Sequence, residues 1–273
     1  MNLPEVKIEQ LLDAGVHFGH NTSRWNPKME QYIFGVRNKI HIIDLRISLP
    51  LIQNALVKLY ETVSKSGKVL IVGTKKQASS IIEKLALETQ QCYVNKRWLG
   101  GTLTNWKTIS DSIKKLDDLE LLLSNEKSSN SFSKKELLSI SREKEKLDLN
   151  IGGIRKLGGI PDIIIVFDAV KDKLAILEAK KLNIPIIGIV DTNADPDLVN
   201  YPIPGNDDAL RSINLYAELF KTTIAEAKKN ITISKDIKNE EIKDKEKNSK
   251  KTKKTKTENI KDKKIKDIDK KDK

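Results

Sequence analysis

The sequence predicts an α/β fold: a doubly wound parallel sheet with an inserted antiparallel helical hairpin and a disordered Lys-rich C-terminal tail. Three observations predict it. Continuous apolar runs (Lys68–Gly73, Asp162–Phe167, Pro185–Val190) alternate with helical periodicity, as in a sheet covered on both faces. Two long helical patterns between Trp106 and Ile151 flank a Ser/Asn-rich, apolar-poor stretch, Ser124–Ser133. From Lys228 to Lys273, 19 Lys stand against 10 acids, with too few apolar residues to offset the entropy of ordering.

Pro4–Asp13 reads as a short helix with Val6, Ile8, Leu11 and Leu12 apolar, ended by Asp13-Ala14-Gly15. Gly15–Lys28 shows little periodicity and holds His17, Phe18, His20, Arg24, Trp25 and Pro27. Tyr32–Val36 and His41–Ile43 are β-prone runs, divided by the cationic turn Arg37-Asn38-Lys39. A helix starting at Ser48 or Pro50 runs to Ser66, with Ile52, Leu56, Leu59, Tyr60 and Val63 on one face. Lys75–Thr89 is helical and Cys92–Val94 is a short strand. A helix over Val170–Leu182 separates the two late strands, and Asn206–Lys229 is a final helix capped by Asn206 or Asp207.

In the excursion, Trp106, Ile109, Ile113, Leu116, Glu120 and Leu123 fall three or four apart. So do Leu137, Ile140, Lys144, Leu147 and Ile151 on the return. This spacing predicts a coiled-coil seam, broken at Lys144. Gly100-Gly101 and Gly152-Gly153 bracket the hairpin as hinges or points of close approach. The expected organisation is a wound domain over 1–104 and 151–230, an inserted hairpin over 105–150, and a disordered basic tail over 231–273.

Of the formal net charge of +12, the tail carries +9 and the remaining 227 residues only +3. The overall basic balance is therefore no argument for nucleic acid by itself, and cationic patches have to be found locally. A single Cys, Cys92, excludes an internal disulfide framework and fits a reducing compartment. No stretch approaches 18 apolar residues and the N-terminus has no apolar leader core, so a soluble cytoplasmic protein is expected.

The first strand ends in Gly73-Thr-Lys-Lys-Gln-Ala, which has one glycine where a dinucleotide fingerprint needs three, and lacks the Gly-Lys-Ser/Thr of a P-loop. Lys75 and Lys76 at a helix start suit an RNA phosphate better than a cofactor, or are simply solvated. A structural zinc site needs four ligands and the chain offers three His and one Cys; His17 and His20 lie in a loop-like setting that suits packing or a hydrogen bond to a partner better than a preformed site, so no metal and no cofactor are expected. Asp168, Asp191 and Asp195 lie at or just past strand ends. They either cap the next helix or, in the alternative of a nucleotide-binding or hydrolytic enzyme, Asp168 and Asp191 do acid–base or magnesium chemistry. In Arg97-Trp-Leu-Gly-Gly-Thr-Leu-Thr-Asn105, Arg97 and Trp98 either engage a phosphate and a base or form a buried indole and a local ion pair.

Leu11–His20, Arg24-Trp-Asn-Pro-Lys-Met29, Tyr32–Ile43, Gly73–Ala78, Arg97–Asn105, Pro161–Pro185 (with Asp168, Asp172 and Glu178), Asp191-Thr-Asn193, Asp195-Pro196 and Ile203–Ala209 resemble, in order, the motifs of the bacterial small-subunit ribosomal protein S-two family. The resemblance covers residues 3 to 229; the Lys-rich tail matches none of it. It implies a flavodoxin-like wound domain with a protruding coiled-coil hairpin and no catalysis. It also implies binding of small-subunit ribosomal RNA where head and body meet, and neighbouring small-subunit proteins as partners. Help in docking the large RNA-binding protein S-one is implied where the organism carries one. Neither membrane association nor a homo-oligomer is expected. The candidate RNA surface is Arg24, Trp25, Arg37, Lys39, Lys75, Lys76, Arg97, Trp98, Lys107 and Arg155, with Trp25 and Trp98 equally suited to the core. Changing Lys75, Lys76 and Arg97 to Glu is expected to spare the fold and weaken binding to small subunits that lack this protein.

Overall fold

The computed structural model describes residues 3–124 and 133–231. Met1–Lys228 form one compact unit; of the second, Lys229–Lys273, only the first three residues are described. Apart from Ile231, the expected disordered tail therefore lies outside the described residues, as does most of the connection Ser124–Ser133.

Helix α1 (Ile8–Asp13) leads into a small antiparallel sheet of β1 (Phe18–Asn21), β2 (Ile33–Arg37) and β3 (Ile40–Ile43), ordered β1-β3-β2. Asn38 and Lys39 between β2 and β3 both take positive φ, 52° and 63°, the two-residue turn whose twist matches paired antiparallel strands. The elements α2 (Leu45–Ser64), β4 (Val69–Val72), α3 (Lys76–Thr89), β5 (Cys92–Val94), α4 (Trp106–Ser124) and α5 (Lys134–Ile151) come next. After them stand β6 (Ile163–Val166), α6 (Lys173–Lys181), β7 (Ile186–Val190), β8 (Tyr201–Pro204) and a last helix, α7, over 210–231.

The large sheet is all parallel, in the order β5-β4-β6-β7-β8. Its strands are apolar throughout because both faces are covered. Val69 and Ile71 join one core with Ile163, Ile165, Ile187 and Ile203, beneath α2, α3 and α7. Leu70 and Val72 point the other way, with Ile164, Val166, Ile186 and Val190, onto α6 and the base of the hairpin. Winding reverses between β4 and β6, so their carboxyl ends, Gly73–Lys76 and Phe167–Lys171, lie side by side at the switch point.

The hairpin belongs to this second core at its base. Leu116 and Ile151 are fully buried there, while Leu121 and Leu138 further out are exposed. Lys144, the break in the seam, meets the other polar seam residue, Glu120, at 3.4 Å.

Several boundaries move. α1 begins at Ile8, not Pro4. β1 arises in the stretch without periodicity, because pairing with β3 rather than side-chain alternation defines it. α2 begins at Leu45, since the Asp44 carboxylate accepts from the Arg46 N–H at 2.9 Å and caps the helix. Pro50 is carried inside it. α6 begins at Lys173, after a turn in which Asp168 Oδ1 accepts from Val170 N and Lys171 N. α7 begins at 210, after Asn206 Oδ1 takes the N–H groups of Asp208 and Ala209. Strand β8, with Pro202 and Pro204, is one the sequence pattern does not predict; proline tolerates such a place only because β8 is the sheet's outer edge.

Leu116→Ala should cost ~2–5 kcal/mol in urea denaturation. Lys144→Ala, whose pair with Glu120 is partly solvated, should change stability by less than ~1 kcal/mol.

Candidate nucleic-acid interface

The switch point, where wound sheets take ligands, is filled by the chain's own side chains. Lys75 leaves the end of β4 and places its Nζ 3.3 Å from Asp168, 2.9 Å from Asp207 and 2.6 Å from Asp208. Three acceptors thus meet the three protons of the ammonium. Beside it Thr74 donates from its N–H (3.1 Å) and its hydroxyl (2.8 Å) to buried Asp172. The cluster extends through His20, whose Nδ1 lies 2.9 Å from Asp191 and Nε2 3.3 Å from Asp208. Strand β1 reaches so far because Gly19 has no side chain; a Cβ there would stand 2.6 Å from Thr192 Cγ2.

Burial resists the charge on Lys75, but Asp207, Asp208 and Asp168 outweigh it and raise its pKa. Burial, with Asp191 and Asp168 nearby, lifts the Asp207 carboxyl to about 7 against the opposing pull of Lys75. The hydrogen bond to Asp191 holds His20 above its ordinary value. His20, Asp191 and Asp207 each bring a ligand atom to within 4.8 Å of the others, a span a divalent cation could bridge. His17 stands apart from them, its ring 4.0 Å from that of Phe18.

Asp168 and Asp191, the residues of the enzyme alternative, are 4% and 1% exposed. Asp168 caps the turn before α6 and faces Lys75; Asp191 accepts from the Thr192 N–H and lies against His20. Asp195 accepts from the Asp197 N–H and pairs with Lys28. All three hold structure together.

A second carboxylate organises the stretch Arg97–Asn105. Glu178 of α6 accepts from Trp98 Nε1 (3.0 Å), Gly101 N (2.7 Å), Leu103 N (2.9 Å), Thr104 N (3.1 Å) and Thr104 Oγ1 (3.1 Å). Gly101, at φ 85°, lets the backbone turn around it. Burial would raise the Glu178 pKa, but these donors prevail and lower it. Trp98, 7% exposed with its only polar atom engaged, is a core residue and not a base platform.

The ten candidate residues therefore separate. Lys75 and Trp98 are committed internally, and Arg155 pairs with Asp117 and, at 2.8 Å, with Glu120, tying the hairpin base to its exit. Arg24, Arg37, Lys39, Lys76, Arg97 and Lys107 are exposed and form no ion pair among the described residues. Four candidates gather at one place. Asn21 pairs with Ile40, Arg37 also lies opposite Ile40, and the Thr22 N–H donates to the Lys39 carbonyl at 3.0 Å. Arg24 and Trp25 thus stand directly beside the cationic β2–β3 turn. Sequence reasoning missed Asp208, His41 and the tasks of Asp207 and Glu178. Asp207 reads only as a possible helix cap, with Asp208 beside it, and nothing local ties Glu178 to a turn 74 or more residues away.

A wound domain whose switch point is filled by its own ion pairs and whose helical pair is rooted in the core has the build of a structural protein. A family model described as Ribosomal protein S2 matches residues 11–227. A small ribosomal subunit protein uS2 of Caulobacter vibrioides (strain NA1000 / CB15N) is 56% identical over 226 residues, 83% of this chain and 84% of that one. Its counterpart of the same name in Rickettsia felis is 59% identical over 218 residues, 80% and 74% of the two chains. That in Rhizobium leguminosarum bv. trifolii (strain WSM2304) is 57% identical over 219 residues, 80% and 85%. The chain belongs to the ribosomal protein S2 family, whose members are structural components of the ribosome and not enzymes.

Glu178→Gln should cost ~2–3 kcal/mol, because one amide oxygen cannot replace two carboxylate oxygens and the amide N–H₂ faces donors. The folded pKa of Glu178 is depressed. Its contribution is therefore complete above about pH 4.3 and lost as pH falls through the lower folded value. The gap in melting temperature between wild type and variant should accordingly narrow below about pH 4. His20 and Asp207 both hold their protons more tightly when folded, so their contribution is lost as pH rises. In chelator-containing buffer the margin in melting temperature of wild type over His20→Gln/Asp207→Asn should therefore shrink as pH rises from about 4 through about 7.

Proposed function

We propose that this chain is a structural component of the small ribosomal subunit that binds ribosomal RNA through its exposed, unpaired cations. The observation that carries the reading is the contrast among charges of one sign. Lys75 and Arg155 are matched by carboxylates, while Arg24, Arg37, Lys39, Lys76, Arg97 and Lys107 have no such partner among the described residues. Unmatched cations on a rigid scaffold suit a polyanion, which they bind by displacing its counterions. The relatives' name, small ribosomal subunit protein, supports the same assembly. Within it the chain acts in the cytoplasm, at the junction of head and body that the family motifs imply. Neighbouring proteins of the subunit are its other partners, with protein S-one among them where the organism has one. Phe34 and Val36, 68% and 57% exposed on β2, suit a protein neighbour.

The surface so proposed differs from the one read off the sequence. Lys75→Glu would set a fourth carboxylate among Asp168, Asp207 and Asp208, so that change damages the fold and does not report on RNA.

On a sucrose gradient of lysate in low-salt magnesium buffer, the chain should co-migrate with small subunits and be released as salt rises. Arg37→Glu/Lys39→Glu/Arg97→Glu should keep wild-type stability to within about 0.5 kcal/mol. The same triple change should weaken binding to small subunits lacking this protein and make the salt dependence shallower by about 2–3 in logarithmic slope. Binding unchanged by the triple reversal would refute the surface.

A further inference from the structure

We propose that Trp25 is a stacking platform for an unpaired base of the bound RNA and that the ring of His41 beneath it is the positioning residue; this rests on the RNA-binding reading above. Of the chain's three tryptophans, Trp98 is sealed against Glu178 and Trp106 is partly buried against the core. Trp25 alone leaves more than a third of its surface open, at 37% exposure.

The indole is held in place on both sides of the chain. Before it, the Asn21 side chain accepts from the Ser23 N–H at 3.1 Å. After it, the Asn26 N–H donates to the Thr192 carbonyl at 2.7 Å, and the Asn26 side chain accepts from the Lys28 N–H at 3.1 Å. Its inner face rests on His41, with ring centroids 5.3 Å apart and an angle of 34° between planes. His41 is 7% exposed, and neither of its ring nitrogens has a hydrogen-bond partner. Those nitrogens are closed to solvent, so His41 serves through the face of its ring. A backed indole loses little freedom when a second ring stacks on its outer side, and every base offers such a ring.

The surroundings select the ligand. Arg24 precedes the indole, and Arg37 and Lys39 stand at the adjoining turn, all exposed and without carboxylate partners among the described residues. A part-exposed indole with cations beside it in the chain and on the adjoining turn matches a base with its flanking phosphates. Duplex RNA hides its base faces, so the base has to come from a loop, bulge or end.

The test uses the full chain bound to small subunits that lack it, irradiated with ultraviolet light and digested for mass spectrometry. The expected result is a nucleotide adduct on Trp25. Trp25→Leu should bind about 5- to 100-fold more weakly, and Trp25→Phe within about fivefold of wild type. His41→Phe should keep both the Trp25 adduct and the affinity, while His41→Ala, which removes the support, should lose the adduct. The wild-type adduct carries the test should Trp25→Leu not fold. No adduct, with Trp25→Leu binding as wild type while Arg37→Glu/Lys39→Glu weakens binding, would overturn stacking and leave the RNA reading standing. A peptide crosslinked to Trp25 instead of a nucleotide would overturn it in favour of a protein neighbour. Binding unmoved by the charge reversals as well would bring down the RNA reading itself.

Discussion

An ammonium group taken out of water must be met by acceptors, and the centre of this protein is arranged around that requirement at Lys75. Its three carboxylate neighbours come from separate places: Asp168 after β6, and Asp207 and Asp208 before α7. Through Asp208 and Asp191 the cluster also holds His20, and with it β1 of the small sheet. One charge thus draws together the carboxyl end of the parallel sheet, the start of the last helix and the N-terminal sheet. Removing Lys75 would leave the buried carboxylates of Asp168 and Asp207 without their cation, which costs more than the pair contributes in isolation.

Glu178 solves the same problem with the opposite sign and another kind of partner. Among the described residues no cation pairs with it; four hydrogen bonds from the turn at 101–104 and one from the Trp98 indole satisfy it. The two sites differ in titration for that reason. Donors depress Glu178, whereas burial among like charges lifts Asp207. Both place rigid structure immediately behind exposed cations, since Lys76 comes just after Lys75 and Arg97 just before Trp98. On the proposed reading, affinity for a polyanion resides in these exposed side chains, carried on a backbone fixed by the two clusters.

The sheet was legible because a strand buried on both faces must be apolar at every position, a condition that Val69–Val72, Ile163–Val166 and Ile186–Val190 state locally. β8 was not, because its prolines are acceptable only at an edge, and being an edge is a property of the whole sheet. β1 was hidden likewise, its partner strand lying about twenty residues on. In the candidate site, the residue types were visible and their allegiance was not. Lys75 and Lys76 are neighbours of one kind, yet one enters an acidic cluster formed by residues more than ninety positions away while the other faces solvent.

By itself, then, the sequence determined the features written in short-range pattern: the alternation of strands and helices, the helical pair and its seam, the charge-rich tail composition, and the motifs that mark the family. Only the tertiary structure decided which charges are matched and which remain for a partner, because burial and pairing depend on residues brought together across the whole chain. It set Trp98 against Glu178 and Trp25 over His41, and so separated two tryptophans that the sequence had left equivalent.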